Sequence, residues 1–389
     1  MESKTLGIAI IGAGAIAEVH IQSFLQYREQ CEVRAVCDFF IEKAQGLIET
    51  YQLPAVMFKD YRDLLEQDNI DAVSICLPPS MHADATIDAL NAGKHVICEK
   101  PMAGSLEECD NMIKAANKNN KLLSVVAQNR YKTPNQKVKR LLEEGVIGRV
   151  LFATVNSLWW RGENYYDIWW RGTWEKESGG CLINHAVHHI DLLQWMLGMP
   201  ESVNAIISNV GHFNSECEDL AIAVLRYPKM VAQLTASIVT HNEEQELIFE
   251  GEKASISVPW QVSASKALAN GFPEPDDETR DAIQNIYDEL PELDVEGHPA
   301  QIGNFLNAIS GKEALLIDGE QGRKTIELIT AIYKSACRNS MVELPIQPDD
   351  VFYCKGGIVQ TMPRFYEKSK SIDNFAPSKP ISLGRDVGK

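Results

Sequence analysis

Leu6-Gly7-Ile8-Ala9-Ile10-Ile11, followed at once by Gly12-Ala13-Gly14-Ala15-Ile16-Ala17, decides the fold of this chain. The first six residues are an apolar run that reads as a buried strand, and a helical pattern follows the glycines. A second run, Val33-Arg34-Ala35-Val36-Cys37, ends in Asp38, which lies 21 positions after Ala17. Strand, glycine turn, helix, strand and acid stand in the order that a dinucleotide-binding unit requires. Gly12 makes the tight turn, Gly14 lets the backbone approach a pyrophosphate, and Ala17 allows close helix–strand packing. The helix N-terminus, with Ala15 and Ile16, offers unpaired N–H groups and a positive dipole end. Gly12, Gly14, Ala15, Ile16 and Asp38 are therefore candidate cofactor contacts, with Asp38 directed at ribose hydroxyls. The Asp38 charge would repel a 2′-phosphate, and Phe39 and Phe40 offer no cation, so NAD is expected rather than NADP.

Working outward, the alternation continues to residue 128. Strands are expected at Glu32–Cys37, Ala55–Phe58, Ala72–Leu77, His95–Cys98 and Leu122–Ala127, with helices between them. Strands without polar alternation are buried on both faces, so the sheet is parallel, helix-covered and doubly wound. The pattern then changes. A strand is expected at Val150–Val155, and a mostly helical segment at Gly179–Gly198. Four strand-like runs follow between Asp219 and Pro259, joined by short connections as in an antiparallel sheet. Lys266–Asp294 reads as an irregular acidic excursion, and Gln301–Ile309 and Gln321–Asn339 as helices. The expected division is 1–128, a Rossmann domain; 129–345, an α/β domain with an open, mainly antiparallel sheet; and 346–389, an extension that is an oligomer arm or partly disordered.

Composition excludes several function classes. A formal net charge of −17 argues against wrapping nucleic acid or lying on an anionic membrane. No apolar run reaches the roughly 18 residues of a membrane span, and no signal peptide is expected, because the first strand begins within a few residues of Met1. The nine cysteines are odd in number and scattered, and Cys37, Cys76 and Cys98 end apolar strands. Buried reduced thiols in a cytoplasmic protein are expected.

The chemistry-bearing residues fall in three groups. Leu77-Pro78-Pro79-Ser80-Met81-His82 and Glu99-Lys100-Pro101 follow strands, at the carboxyl ends where ligands bind in open α/β sheets. Pro78, His82, Glu99, Lys100 and Gln128 are thus further candidate cofactor contacts. A lysine placed there can also donate to a substrate hydroxyl or ketone. The second group is Gly179-Gly180-Cys181-Leu182-Ile183-Asn184-His185-Ala186-Val187-His188-His189-Ile190-Asp191. On an α-helix Asn184, His188 and Asp191 share a face. A histidine near a carbinol is the usual acid/base group at neutral pH. A metal held by His185, His188 or His189 with Asp191 lacks a His-Glu-x-x-His pattern or a distant ligand set, so no metal is expected. The third group is the segment Trp159–Trp174, which holds five of the seven tryptophans. Aromatic faces stack on sugar C–H faces, so Tyr165, Tyr166, Trp169, Trp170 and Arg171 are candidate substrate contacts.

Taken together, Gly-x-Gly-x-x-Ala, Pro-Pro-Ser-x-His, Glu-Lys-Pro and Gly-Gly-x-x-x-Asn-x-x-x-His-x-x-Asp resemble the glucose–fructose oxidoreductase, inositol dehydrogenase and rhizopine catabolism (Gfo/Idh/MocA) family over residues 6 to 345. The resemblance implies a Rossmann domain, an α/β domain whose sheet mediates dimers or tetramers, and nicotinamide-linked oxidation of a carbinol on a sugar or cyclitol. It places the family lysine at Lys100 and the family histidine at His188. Many members carry Asp where this chain has Asn184. An amide takes no proton near neutrality, so Asn184 would orient substrate, acid/base work would fall on His188 and Lys100, and Asp191 would hold the imidazole. The implied reaction is oxidation of a ring carbinol, at C3 of a pyranose by the family's habits. The rivals are a glycosidase using transient oxidation by NAD and a non-catalytic NAD-binding regulator.

Overall fold

The structure, a computed structural model, describes residues 5–373. In chain order the first part runs β1 (Leu6–Ile11), α1 (Ala15–Phe24), β2 (Cys31–Cys37), α2 (Ile41–Tyr51), β3 (Val56–Phe58) and α3 (Tyr61–Leu65). It continues with β4 (Ala72–Ile75), α4 (His82–Asn91), β5 (His95–Cys98), α5 (Leu106–Asn119) and β6 (Leu123–Val125). Next come α6 (Thr133–Glu143), β7 (Val150–Trp160), α7 (Val187–Leu197), β8 (Ser202–Ser208), β9 (Leu220–Arg226), β10 (Val231–Ser237) and β11 (Val239–Gly251). The remainder is β12 (Ser255–Val258), β13 (Gln261–Ser263), β14 (Ser265–Ala267), β15 (Pro273–Pro275), α8 (Asp277–Glu289), α9 (Gly297–Ile309), α10 (Gly319–Arg338), β16 (Val342–Glu343) and α11 (Gly357–Thr361).

The chain divides into two units. The first takes residues up to 128 and recruits 295–326 and 348–357. A contiguous boundary at 128 was expected; α9 belongs to the first unit because Ile302, Phe305 and Leu306 join the core formed by Ile8, Ala17, Ile21 and Val36. The six strands run in the order β3-β2-β1-β4-β5-β6, all parallel, with the order reversing between β1 and β4. That is the doubly wound nucleotide-binding topology. The apolar run of β1 is buried almost throughout, as a strand covered by helices on both faces must be.

The second unit takes 129–294, 327–347 and the chain from 358. Its eight-stranded sheet has the order β13-β12-β11-β7-β10-β9-β8-β16, with β7 and β10 parallel and the other pairs antiparallel. Buried and exposed residues alternate along β9, so this sheet is covered on one face. Several expectations change here. β7 extends to Trp160, so Trp159 and Trp160 are strand residues rather than loop. The region read as an irregular excursion holds the β14–β15 hairpin and α8. β8 was not anticipated, because its alternation is short and polar at both ends. Part of the expected C-terminal arm, 374–389, lies outside the described residues.

Candidate active site

The glycine turn is built as the sequence implied. Gly12 has φ +98°, and a Cβ there would sit 2.4 Å from the Cys76 carbonyl oxygen at the end of β4, so only glycine makes this turn. Gly14 is the N-cap of α1 and supplies no side-chain cap, whereas Asp60, Ser105 and Asp276 cap α3, α5 and α8 with their side chains. A Cβ on Gly14 would meet nothing within 4 Å. An uncapped helix N-terminus over open space, with Gly14 and Ala15 exposed, suits a pyrophosphate. Asp38 follows β2; its Oδ2 accepts from Ala13 N at 2.8 Å and its Oδ1 from Phe40 N at 2.9 Å. The acid therefore also braces the glycine turn. Phe39 and Phe40 carry cations that the sequence did not disclose: Lys59 Nζ lies 5.2 Å from the Phe39 ring and Lys43 Nζ 4.8 Å from that of Phe40. Gln128 Oε1 is buried without a hydrogen-bond partner, which fits an acceptor kept for a ligand.

Two candidate cofactor contacts change role. His82 is buried, with Nδ1 2.7 Å from the Pro101 carbonyl and Nε2 2.8 Å from the Leu77 carbonyl. It ties together the loops after β4 and β5 and has no ring nitrogen left for a nucleotide. Glu99 also turns inward. His20 Nε2 lies 2.9 Å and His298 Nε2 3.7 Å from Glu99 Oε1, and Glu99 Oε2 accepts from Lys100 N at 3.2 Å. Burial would raise the Glu99 carboxyl, but the hydrogen bonds from His20 and His298 outweigh it and hold Glu99 well below the usual carboxylate range. Among the described residues this is the one cluster with metal-ligand spacing, its ligand atoms lying within 4.8 Å of one another. Its chemistry is that of a buried carboxylate satisfied by imidazoles. Lys100 follows β5 and is partly exposed.

In the second unit the segment before α7 is not regular α-helix. Leu182–Ala186 forms a π-helical turn leading into α7, so the one-face spacing argument does not apply unmodified. Among residues 181–194, only Asn184 and His188 escape full burial. Asp191 takes a role that the sequence did not disclose. It is buried, and both its oxygens accept from the buried Arg130, Nε to Oδ2 and Nη2 to Oδ1, each at 2.8 Å. A buried guanidinium requires such a counter-charge, so Asp191 has a structural role as the anion of Arg130.

The aromatic segment separates into two kinds of residue. Trp159, Tyr166 and Trp174 are buried. Tyr166 packs edge-on against Tyr165 and His212 and is withdrawn as a substrate contact. Tyr165, Trp169, Trp170 and Arg171 are half-buried. The Arg171 guanidinium lies 3.9 Å from the Tyr165 ring and 4.5 Å from that of Trp170, while Lys176 sits over Trp169 at 4.7 Å. Arg171 Nε and Nη1 are buried without a hydrogen-bond partner. Tyr165 also approaches His185 at 5.6 Å between ring centroids. Sequence reasoning missed Glu177, a buried acid that accepts from the Asn184 amide and lies 3.8 Å from Arg171. Its one signal was a carboxylate two residues before the Gly179-Gly180 pair that opens the helical segment.

The fold and these residues define a two-unit oxidoreductase with a dinucleotide-binding Rossmann sheet. Residues 6–127 match the family model described as the oxidoreductase family, NAD-binding Rossmann fold, and residues 139–344 match its C-terminal alpha/beta domain. The chain belongs to the Gfo/Idh/MocA family of NAD-dependent oxidoreductases. It is 29% identical over 363 residues to the D-glucoside 3-dehydrogenase of Escherichia coli, spanning 88% of this chain and 99% of that protein. It is 30% identical over 266 residues to an inositol 2-dehydrogenase of Salmonella paratyphi B, spanning 68% and 73%. Among solved structures it superimposes on the WlbA dehydrogenase of Bordetella pertussis, in complex with NADH and UDP-GlcNAcA, with TM-score 0.76 and 31% identity, covering 89% of this chain and all of that one. Relatives of this chain thus include sugar and cyclitol dehydrogenases, and also a 2,7-anhydro-N-acetylneuraminate hydratase of Escherichia coli, 26% identical over 331 residues. No helix among the described residues is long and apolar enough to cross a membrane.

Proposed function

We propose that the chain oxidises a ring carbinol of a sugar, glycoside or cyclitol to the keto compound, at C3 of a pyranose, with NAD as oxidant. The observation that carries this reading is the selective exposure of Asn184 and His188 in an otherwise buried helical segment, joined to a glycine turn open to a pyrophosphate. The likeness to a D-glucoside 3-dehydrogenase along nearly its whole length supports the choice of carbon. Bound nicotinamide supplies the hydride acceptor. Gly12, Gly14, Ala15, Ile16, Asp38 and Gln128 would hold the cofactor, with Pro78 at the strand end beside it. The chain's own part is to take the hydroxyl proton, through His188 or Lys100, as the carbinol carbon gives up its hydride. Asn184 and Arg171 fix neighbouring hydroxyls, and Tyr165, Trp169 and Trp170 give the sugar ring its stacking faces.

A second copy of the chain is the partner this reading calls for. The open face of the large sheet exposes Ile206, Ile222, Val224 and Val231, and Ile206 pairs with Ile222 across β8 and β9. An apolar patch of this kind on a sheet face suits a homo-oligomer.

The test is NADH formation across a panel of glucosides, free sugars and inositols, repeated with Lys100→Ala and His188→Ala. Each substitution should lower kcat by roughly 10²- to 10⁴-fold while the Kd for NADH stays near that of the unsubstituted enzyme. Near-normal kcat in His188→Ala would leave the proton to Lys100. Release of nitrophenol from a glycoside without net NADH would replace the dehydrogenase by a glycosidase.

A further inference from the structure

Glu177 is the least expected group of the second unit. It is a carboxylate buried to 1% exposure, and such a group is costly unless donors meet it. Its Oε2 accepts from Gly172 N at 2.5 Å, and its Oε1 accepts from the Nδ2 of Asn184, one of the two side chains the helical segment leaves open. Arg171 Nη1 lies 3.8 Å from the same Oε1. A side-chain amide has a donor end and an acceptor end and can turn either way, whereas an ionised carboxylate only accepts. With Nδ2 drawn to Glu177, Oδ1 is turned away from it.

We propose that Glu177 is a positioning residue of the substrate site, which fixes the Asn184 amide so that its oxygen is presented to a substrate hydroxyl. The proposal rests on the reading of Asn184 as a substrate contact. Arg171 and Lys368 are the cations around Glu177, and Tyr166 and Cys217 are the titratable groups that feel its charge. Burial pushes the Glu177 carboxyl up to about 7 against the pull of Arg171, the Gly172 N–H, Asn184 and Lys368. A protonated Glu177 carries an O–H that can donate to Oδ1 and reverse the amide. The direction of Asn184 therefore changes with pH around neutrality.

The experiment uses the full chain with Glu177→Gln, Asn184→Asp and the double exchange. Glu177→Gln can donate or accept, so it no longer dictates the amide; KM for the carbinol should rise about tenfold, the worth of one hydrogen bond, with a smaller change in kcat and an unchanged Kd for NADH. Asn184→Asp sets two carboxylates together and should lose more. The double exchange restores one donor opposite one carboxylate and should recover most of that loss. A double exchange no better than Asn184→Asp overturns the proposal. A measurement free of turnover is the Asn184 side-chain ¹⁵N resonance of the unsubstituted protein, assigned by its loss in Asn184→Asp. It should titrate with a midpoint near 7, and a flat resonance from pH 5.5 to 8.5 overturns the coupling. If the unsubstituted enzyme forms no NADH from any carbinol, the substrate-site reading falls and takes this inference with it. A flat resonance in an active enzyme removes the inference alone.

Discussion

Arg130 and Asp191 form a bidentate ion pair inside the second unit, with both bonds at 2.8 Å and side-chain exposures of 0% and 6%. The Trp195 ring lies 5.3 Å from the guanidinium. Asp191→Ala leaves that charge buried without its counter-ion, which costs about 3–5 kcal/mol. Calorimetry should show a melting temperature lower by several degrees, with the folded fraction retaining kcat within a few-fold. Unchanged melting with a large loss of kcat would return Asp191 to the chemistry.

Asp38 should decide between the two nicotinamide dinucleotides. Its carboxylate braces Ala13 N, and Lys43 and Lys59 stand over the adjacent phenylalanine rings. Asp38→Ala removes the repulsion toward a 2′-phosphate and leaves both lysines. The ratio of kcat/KM for NAD over NADP should fall by roughly tenfold or more, the worth of a charged hydrogen bond, and the Kd for NAD should rise. An unchanged ratio would remove Asp38 from ribose recognition.

Trp170 is one of two aromatic rings against the Arg171 guanidinium, the other being Tyr165. Trp170→Ala frees the guanidinium to swing and removes a stacking face, each contact being worth about 0.5–1 kcal/mol or more. KM for the preferred glycoside should rise more than KM for a small free sugar. Equal losses for all substrates would contradict a role in recognition. Trp174→Ala should instead lower the melting temperature, because Trp174 is buried edge-on against Tyr333.

Two buried carboxyls set a pH dependence of stability. Burial pushes Glu218 up to about 7 against donors from Leu182 N, Tyr333 Oη and Gly180 N, and Glu177 stands at about 7 as well. Their ordinary value is 4.5. The folded state thus binds these protons more tightly than the unfolded state, so their stabilising effect is complete below about 4.5 and is lost as pH rises to about 7. Glu218→Gln should abolish on the order of 3 kcal/mol of that loss. Urea unfolding of both proteins at pH 5 and pH 8 measures it. An unsubstituted protein that gains stability over this window would refute the assignment.

Ile222 faces outward beside Ile206, at 47% and 72% exposure. Ile222→Glu should convert an oligomer to a smaller species in sedimentation, with the fold intact by circular dichroism. A monomeric unsubstituted protein would remove the second copy from the proposal.

What the sequence by itself determined is what local chemistry encodes. The unbroken apolar run of β1, the glycine required at residue 12 and the acid closing β2 specify the nucleotide-binding unit, because strand burial, positive φ and strand-end position are properties of short stretches. Asn184 and His188 keep partial exposure in a buried segment, although the spacing argument assumed a regular α-helix where the chain makes a π-helical turn. Only the tertiary structure decided which side chains meet. Asp191 pairs with a residue 61 positions away, Glu99 meets His20 79 positions before it, and His82 spends both ring nitrogens on carbonyls of two different loops. Glu177 was visible as a residue but not as a partner of Asn184. A carboxylate written in a sequence has no direction; burial beside an amide and an arginine gives it one, and burial follows from the packing of strands and loops distant in the chain.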